Sequence, residues 1–150
     1  MDSIVERSID LDVGPDDLWR AITDPDELAA WFAPEVEIDV VPGGRGRFVD
    51  DDGVARSAVI DDVEPGHRLV LRWWPDAEGP GRASVVTLVV APRTGGARLV
   101  VTEHLAAPVQ RMGSRGDLSA VVDAARSAWM WRLDLLLLRV AAAAGAVALV

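Results

Sequence analysis

SVVTLVVAPRTGGARLVVTEHL, residues 84–105, decides the fold. Its two halves, Ser84–Ala91 and Ala97–Leu105, are rich in Val, Leu and Thr and alternate with period two, as strands do. Thr94-Gly95-Gly96 stands between them, and Gly-Gly at such a place is hairpin chemistry. Upstream the same pattern repeats in Val36–Val41, Arg45–Asp50, Val54–Val63 and Arg68–Trp74. The breaks are Pro42-Gly43-Gly44, Asp52-Gly53, Pro65-Gly66 and a loop from Pro75 to Gly81. Six consecutive runs joined by short turns predict an antiparallel meander.

Further out, Ile4–Val13 also alternates. Val5, Ile9, Leu11 and Val13 share one side, and Glu6, Ser8, Asp10 and Asp12 the other. Gly14-Pro15 breaks this strand and opens a short helix, with Asp16 and Asp17 in its first turn and Leu18, Trp19 and Ile22 at helical spacing. Asp24 is an N-cap candidate for a second short helix that begins at Pro25, carries Leu28 and Trp31 inward and stops at Pro34. At the other end, Asp117 to about Ala144 reads as one long helix. Leu118, Val121, Val122, Ala125, Trp129, Leu133, Leu136, Leu137 and Val140 recur at three- and four-residue spacing. Asp123, Arg126 and Asp134 cluster on another side. Trp131, Leu135 and Leu138 form a second apolar strip, which predicts a covering element or a partner.

This order predicts an α+β helix-grip fold. A curved, antiparallel, seven-stranded sheet wraps around a long C-terminal helix, with two short helices after strand 1 and a cavity between helix and sheet. Nothing divides the 150 residues, so 1–150 is read as one domain. A chain of this length buries about 70% of its unfolded surface.

Composition excludes several function classes. The net charge of -9 argues against a nucleic-acid partner. With no Cys there is no disulfide, thiolate nucleophile or zinc-thiolate site. All 15 basic residues are Arg, which removes Schiff-base and P-loop lysine chemistry. Lys, Tyr and Asn are all absent; they share AT-rich codons, so a high-GC bacterial genome is expected. No signal peptide is visible, and the charge-free run Val140–Val150 is far short of the about 20 residues a span needs, so a cytoplasmic protein without a membrane span is expected.

Several segments also carry a resemblance. They are Leu18-Trp19-Arg20-Ala21-Ile22-Thr23-Asp24-Pro25, Leu28-Ala29-Ala30-Trp31-Phe32 and Pro42-Gly43-Gly44-Arg45-Gly46-Arg47-Phe48. Val63-Glu64-Pro65-Gly66-His67-Arg68-Leu69 follows, leading into Arg72-Trp73-Trp74, and then Arg98-Leu99-Val100-Val101-Thr102-Glu103. In order and spacing, over about residues 4 to 105, the chain resembles the START/Bet v 1-like (SRPBCC) superfamily, in its branch named after the activator of the Hsp90 ATPase. The resemblance implies the helix-grip fold. It also implies a role among ligand carriers, cyclases and co-chaperone modules.

Within that fold, Leu99, Val101 and Glu103 share the inward side, so Glu103 points toward the cavity as a candidate acid, base or ligand anchor. The alternative is a strand-end carboxylate that is hydrated or paired with an Arg. Arg56 shares parity with Ala58 and Ile60, and a cavity Arg would hold a ligand carboxylate or phosphate; otherwise it is an edge residue reaching solvent. Phe48, Leu71, Trp73, Val101 and Trp129 are the expected cavity wall. Trp31 and Trp74 are further aromatic candidates for ligand contact, with core packing as the alternative. Arg72 and His104 read as outward, and His67 as solvated in a Pro-Gly turn.

No catalytic constellation can be argued. No Ser stands in a nucleophile elbow, and neither His has a metal-ligating neighbour, so no metal or cofactor is expected. Asp50-Asp51-Asp52-Gly53 lacks the later ligands of a calcium loop and reads as a polar hairpin tip. Gly43-Gly44-Arg45-Gly46 is not a dinucleotide loop, and Arg115-Gly116-Asp117 reads as chance, with Asp117 an N-cap candidate. The first functional expectation is binding of a small hydrophobic molecule, lipid or aromatic polyketide-like. The second, implied by the resemblance to the Hsp90-ATPase activator, is a protein-interaction or co-chaperone-like module that docks a partner, or a second copy as a homodimer, through Trp131, Leu135, Leu138 or the tail. The third is a cyclase or hydrolase with Glu103 as general base.

Overall fold

The computed structural model describes residues 3–105 and 115–148. The order of elements is β1 (Ser3–Leu11), α1 (Pro15–Thr23), α2 (Pro25–Trp31), β2 (Glu35–Ile38), β3 (Arg45–Val49), β4 (Ala55–Glu64), β5 (Arg68–Pro75), β6 (Ser84–Arg93), β7 (Gly96–Leu105) and α3 (Arg115–Ala148). The loop before β6 holds a 3₁₀ turn, Pro80–Arg82, that the residue pattern does not announce. The strands form one antiparallel sheet in the order β1-β7-β6-β5-β4-β3-β2, so the first strand closes against the last. This is the helix-grip fold.

The alternation that predicted the strands also sets the core. Val86, Leu88 and Val90 of β6 and Ala97, Leu99 and Val101 of β7 are buried on one face. At the hairpin between them Gly95 adopts φ +83°, and a Cβ on Gly96 would stand 2.0 Å from the Leu11 carbonyl oxygen, so neither position tolerates a side chain. Strand β4 breaks strict alternation. Ile60 lies opposite Leu71 while Asp62 lies opposite Val70, so Asp61 is the extra residue of a β-bulge. The bulge lets Ile60 and Val63, three apart, both pack on the core. It leaves Asp61 and Asp62 outside, paired with Arg72 and Arg68.

The short helices follow their caps. The Asp24 side chain accepts the Asp26 N–H at 2.9 Å, and Trp31 at the end of α2 donates its indole N–H to the Ala21 carbonyl at 2.9 Å, tying α2 to α1. Helix α3 buries Trp129, Leu133 and Leu136 against the sheet. Val121 and Leu137, expected inward, are exposed instead. Each sits about a quarter-turn from the centre of the buried stripe, at the rim of what one sheet can cover. Helix α3 begins at Arg115, two residues before the expected cap at Asp117. Of α3, the side chains of Leu118 and of the tail beyond residue 142 lie outside what the structure describes. Among the described residues no helix is long and apolar enough to cross a membrane.

Candidate functional site

Two facing elements build the interior between α3 and the sheet. Strand alternation sends Phe48, Trp73, Leu71, Val101 and Glu103 to the face that α3 covers, and the helical period brings Trp129 and Arg132 onto them. Phe32, just after α2, completes an aromatic cluster with Phe48, Trp73 and Trp129. Its ring centroids lie 5.1 to 6.0 Å apart, with Trp73 and Trp129 stacked. Most of the wall expected from the sequence is therefore packed core. Phe48, Leu71, Val101 and Trp129 touch one another's surroundings rather than an open space.

Glu103 lies against two rings of this cluster, only 4% exposed. Its Oε2 accepts the Trp73 indole N–H at 2.8 Å and its Oε1 accepts that of Trp129 at 2.9 Å. It makes no ion pair with an Arg among the described residues. The carboxylate locks two indoles, one from the sheet and one from α3, into a fixed relation.

Arg132 is the functional-site residue that the sequence reading missed. It is 6% exposed. Its Nε donates to the Phe32 carbonyl at 3.1 Å and its Nη2 to Asp50 Oδ1 at 3.3 Å. The guanidinium lies over the rings of Trp129, Phe32 and Trp73 at 4.8, 5.0 and 5.1 Å. Burial pushes its pKa down; Asp50 and Glu103 act in the other direction, and Arg56 acts with burial. A signal was available: Arg132 falls three residues after Trp129 and four before Leu136, on the buried stripe. Asp50 is likewise more than a polar tip. It turns inward from the β3–β4 hairpin, while Asp52 holds the turn by accepting the Val54 N–H.

Open space begins beside this cluster. A cavity of about 240 Å³ lies between α3, the sheet and the loop before β6. Arg56, Trp73, Arg82, Ser84, Glu103 and Arg132 supply its more polar wall. Leu105, Ala124, Ala125 and Ala128 supply much of the apolar one. Of the residues expected at a site, the structure brings Arg56, Trp73 and Glu103 together here. Arg56 is half-buried, with its guanidinium 4.7 Å from the Trp73 ring centre and Asp50 3.8 Å from its Nε. Arg82, from the 3₁₀ turn, was not foreseen, because loops carry no periodicity to read.

The remaining candidates lie elsewhere. Trp74 follows Trp73 and so occupies the opposite face of β5; it does not line this cavity. Trp31 borders a separate groove of about 320 Å³ between α2, the Asp50–Asp52 hairpin and α3, with Trp131 and Leu135 on its far side. Arg132 and Ala128 line both spaces, so the Arg132 side chain stands as a partition between groove and cavity. Arg72 is exposed and paired with Asp61, and His104 is exposed. His67 is not simply solvated: its Nδ1 lies 3.1 Å from the Val90 carbonyl, bridging the β4–β5 turn to β6. Among the described residues no group of three or more His, Asp or Glu is placed to hold a metal ion.

Solved structures share this architecture. Protein SA2116 of Staphylococcus aureus, described as of unknown function, superposes with a TM-score of 0.77 at 19% identity, over 96% of this chain and 98% of that one. Protein MLL2253 of Mesorhizobium loti gives 0.75 at 23% identity, over 89% and 93%. CalU16 of Micromonospora echinospora gives 0.66 at 25% identity, over 91% and 74%. No curated protein matches the chain. The model of the family described as Activator of Hsp90 ATPase homolog 1-like protein matches residues 12–130, from just after β1 through the Trp129 that Glu103 holds. On that match, over most of its length and in agreement with the fold, the chain belongs to this family.

Proposed function

We propose that the protein binds a small hydrophobic molecule in the cavity between α3 and the sheet. The observation that carries this reading is the space itself: about 240 Å³ beside a rigid aromatic floor, with a small set of convergent polar groups. The resemblance to the START/Bet v 1-like superfamily, which includes ligand carriers, supports it. The volume sets the scale. An apolar cavity of about 150 Å³ accepts benzene, so this one suits a body of about two fused rings rather than a long polyketide. Glu103 acts as the bolt that holds the indole floor, since each of its oxygens already accepts an N–H. That occupation weighs against its use as a general base.

The test is calorimetric titration with 2-naphthamide, a neutral two-ring probe. Saturable one-to-one binding is expected in the wild type, and its loss in Ala125→Phe, which fills the cavity from α3. Val121→Trp, at an exposed position on the same wall, gives the same answer if the buried substitution misfolds. No binding to the wild type, or binding indifferent to both fillings, overturns the proposal.

A second reading, self-association through α3, is favoured by one observation. Trp131 is 59% exposed and Leu138 66% exposed on a helix that also exposes Met130 and Leu137. Sedimentation of Leu138→Glu beside wild type tests it. A wild-type dimer that the substitution dissociates supports an interface, and two identical monomers end the reading.

A further inference from the structure

We infer that the cavity is selective for a monoanion, and that Arg56 and Arg82 form the clamp for the carboxylate of a small apolar acid. The inference rests on the ligand-binding reading above and specifies the chemistry of its ligand. Three guanidinium groups border the cavity, and they are not equivalent. Arg132 donates its Nε to the Phe32 carbonyl and its Nη2 to Asp50. Arg56 makes no side-chain hydrogen bond among the described residues. Its Nε is buried without a hydrogen bond, and its one carboxylate neighbour among the described residues, Asp50, stays at 3.8 Å and is shared with Arg132. Arg7 and Arg68 also have an unbonded Nε, but neither borders this cavity. The Arg82 side chain has no hydrogen bond or ion pair among the described residues, yet it lines the same wall.

The acids nearby do not offer themselves to these donors. Glu103 is held on both oxygens by indole N–H groups. Glu78 is exposed at the rim and makes no ion pair among the described residues. A guanidinium carries five N–H donors in a fork that matches a carboxylate, and donors left unmade in a partly buried site are costly. A ligand carboxylate would satisfy them while its apolar body lies on Trp73 and the alanines of α3. Charge limits the anion. Among the described side chains, Arg56, Arg82 and Arg132 are offset by Glu78 and Glu103 in the wall and by Asp50 beside Arg56. One added negative charge can be met by idle donors, whereas a phosphomonoester dianion would leave an excess of negative charge beside them.

The test compares three probes of one shape by calorimetric titration: 2-naphthoate, 2-naphthamide and 2-naphthyl phosphate. Naphthoate is expected to bind the wild type at least tenfold more tightly than the amide, and more tightly than the phosphate. In Arg56→Gln and in Arg82→Gln the naphthoate-to-amide ratio falls, and in the double variant it approaches one. Near-ultraviolet circular dichroism of the tryptophans confirms that each variant retains the packed floor. Equal naphthoate and amide affinities in the wild type overturn the clamp while leaving the ligand-binding proposal standing. So does a ratio that survives in the double variant, and tighter phosphate binding overturns the monoanion preference. Failure of the amide itself to bind removes both.

Discussion

The interior between α3 and the sheet has two ends, made from the same elements and finished differently. At the closed end four aromatic rings pack on one another, and the carboxylate oxygens of Glu103 meet the indole N–H groups of two of them. At the open end Arg56 and Arg82 line a cavity with donors to spare. The boundary runs through Arg132, whose guanidinium stacks on the closed end and whose edge faces the open one. The difference teaches how a fold can hold an internal space without collapsing into it. A fully satisfied polar cluster makes a rigid wall, and rigidity is what a neighbouring cavity needs to stay open.

The closed end is where substitution should cost most. Glu103→Gln keeps the shape but turns one acceptor into a donor, so one buried indole N–H faces an NH₂ group. The expected loss is about 2–3 kcal/mol of unfolding free energy, read from urea denaturation. A double-mutant cycle with Trp129→Phe sharpens this. Once the Trp129 N–H is gone, the Gln can turn its amide away from Trp73, and the double variant should cost about 1 kcal/mol less than the sum of the singles. Additivity would mean that the two indoles do not share the carboxylate. At the boundary, Arg132→Met keeps apolar bulk but strands the Phe32 carbonyl and frees Asp50, which can hydrate. A loss of about 1–2 kcal/mol is expected. A gain in stability would instead mark Arg132 as a residue kept for the cavity and not for the fold.

The same contrast decides what could be read from the chain. Period-two runs place every strand to within a few residues, because one face is buried and a slip would expose it. The inward directions of Glu103 and Arg56 follow from that parity alone. Parity says which way a side chain points, but not whether its neighbours fill the space before it. Phe48, Leu71, Val101 and Trp129 were thus expected to wall a cavity and instead pack as core. Arg132 was within reach, since it sits on the stripe of Trp129, Leu133 and Leu136, but an arginine in a helix reads as solvent-facing until its partners are known. Those partners are Phe32, 100 positions away, and Asp50, 82 positions away, and no local pattern connects them. The bulge at Asp61 escaped for a similar reason: it relocates two aspartates to reach Arg68 and Arg72, a requirement visible only across strands.

The smallest effect belongs to the brace of the open end. Asp76, just after β5, accepts from Ser57 Oγ at 2.6 Å and from Arg47 at 2.6 Å, and its backbone N–H bonds the Ala55 carbonyl. It thereby anchors the start of the loop that carries Arg82 to the cavity. The Ser57 hydroxyl, followed by Arg47, holds the Asp76 carboxyl below the usual carboxylate range, with burial acting weakly against them. A carboxylate whose pKa is lower in the folded than in the unfolded chain stabilises the fold above its unfolded pKa of about 3.9, and that contribution is lost as pH falls through the folded value. Asp76→Asn should therefore melt slightly below wild type at pH 6, and the gap should close as the pH falls below about 4. Because the group is solvent-exposed, the gap should also shrink in high salt. Thermal melts from pH 6 to pH 2 measure it. A gap that persists at pH 2 would mean that Asp76 braces the loop through its neutral hydrogen bonds, and that acid leaves the open end as firmly closed off as the aromatic one.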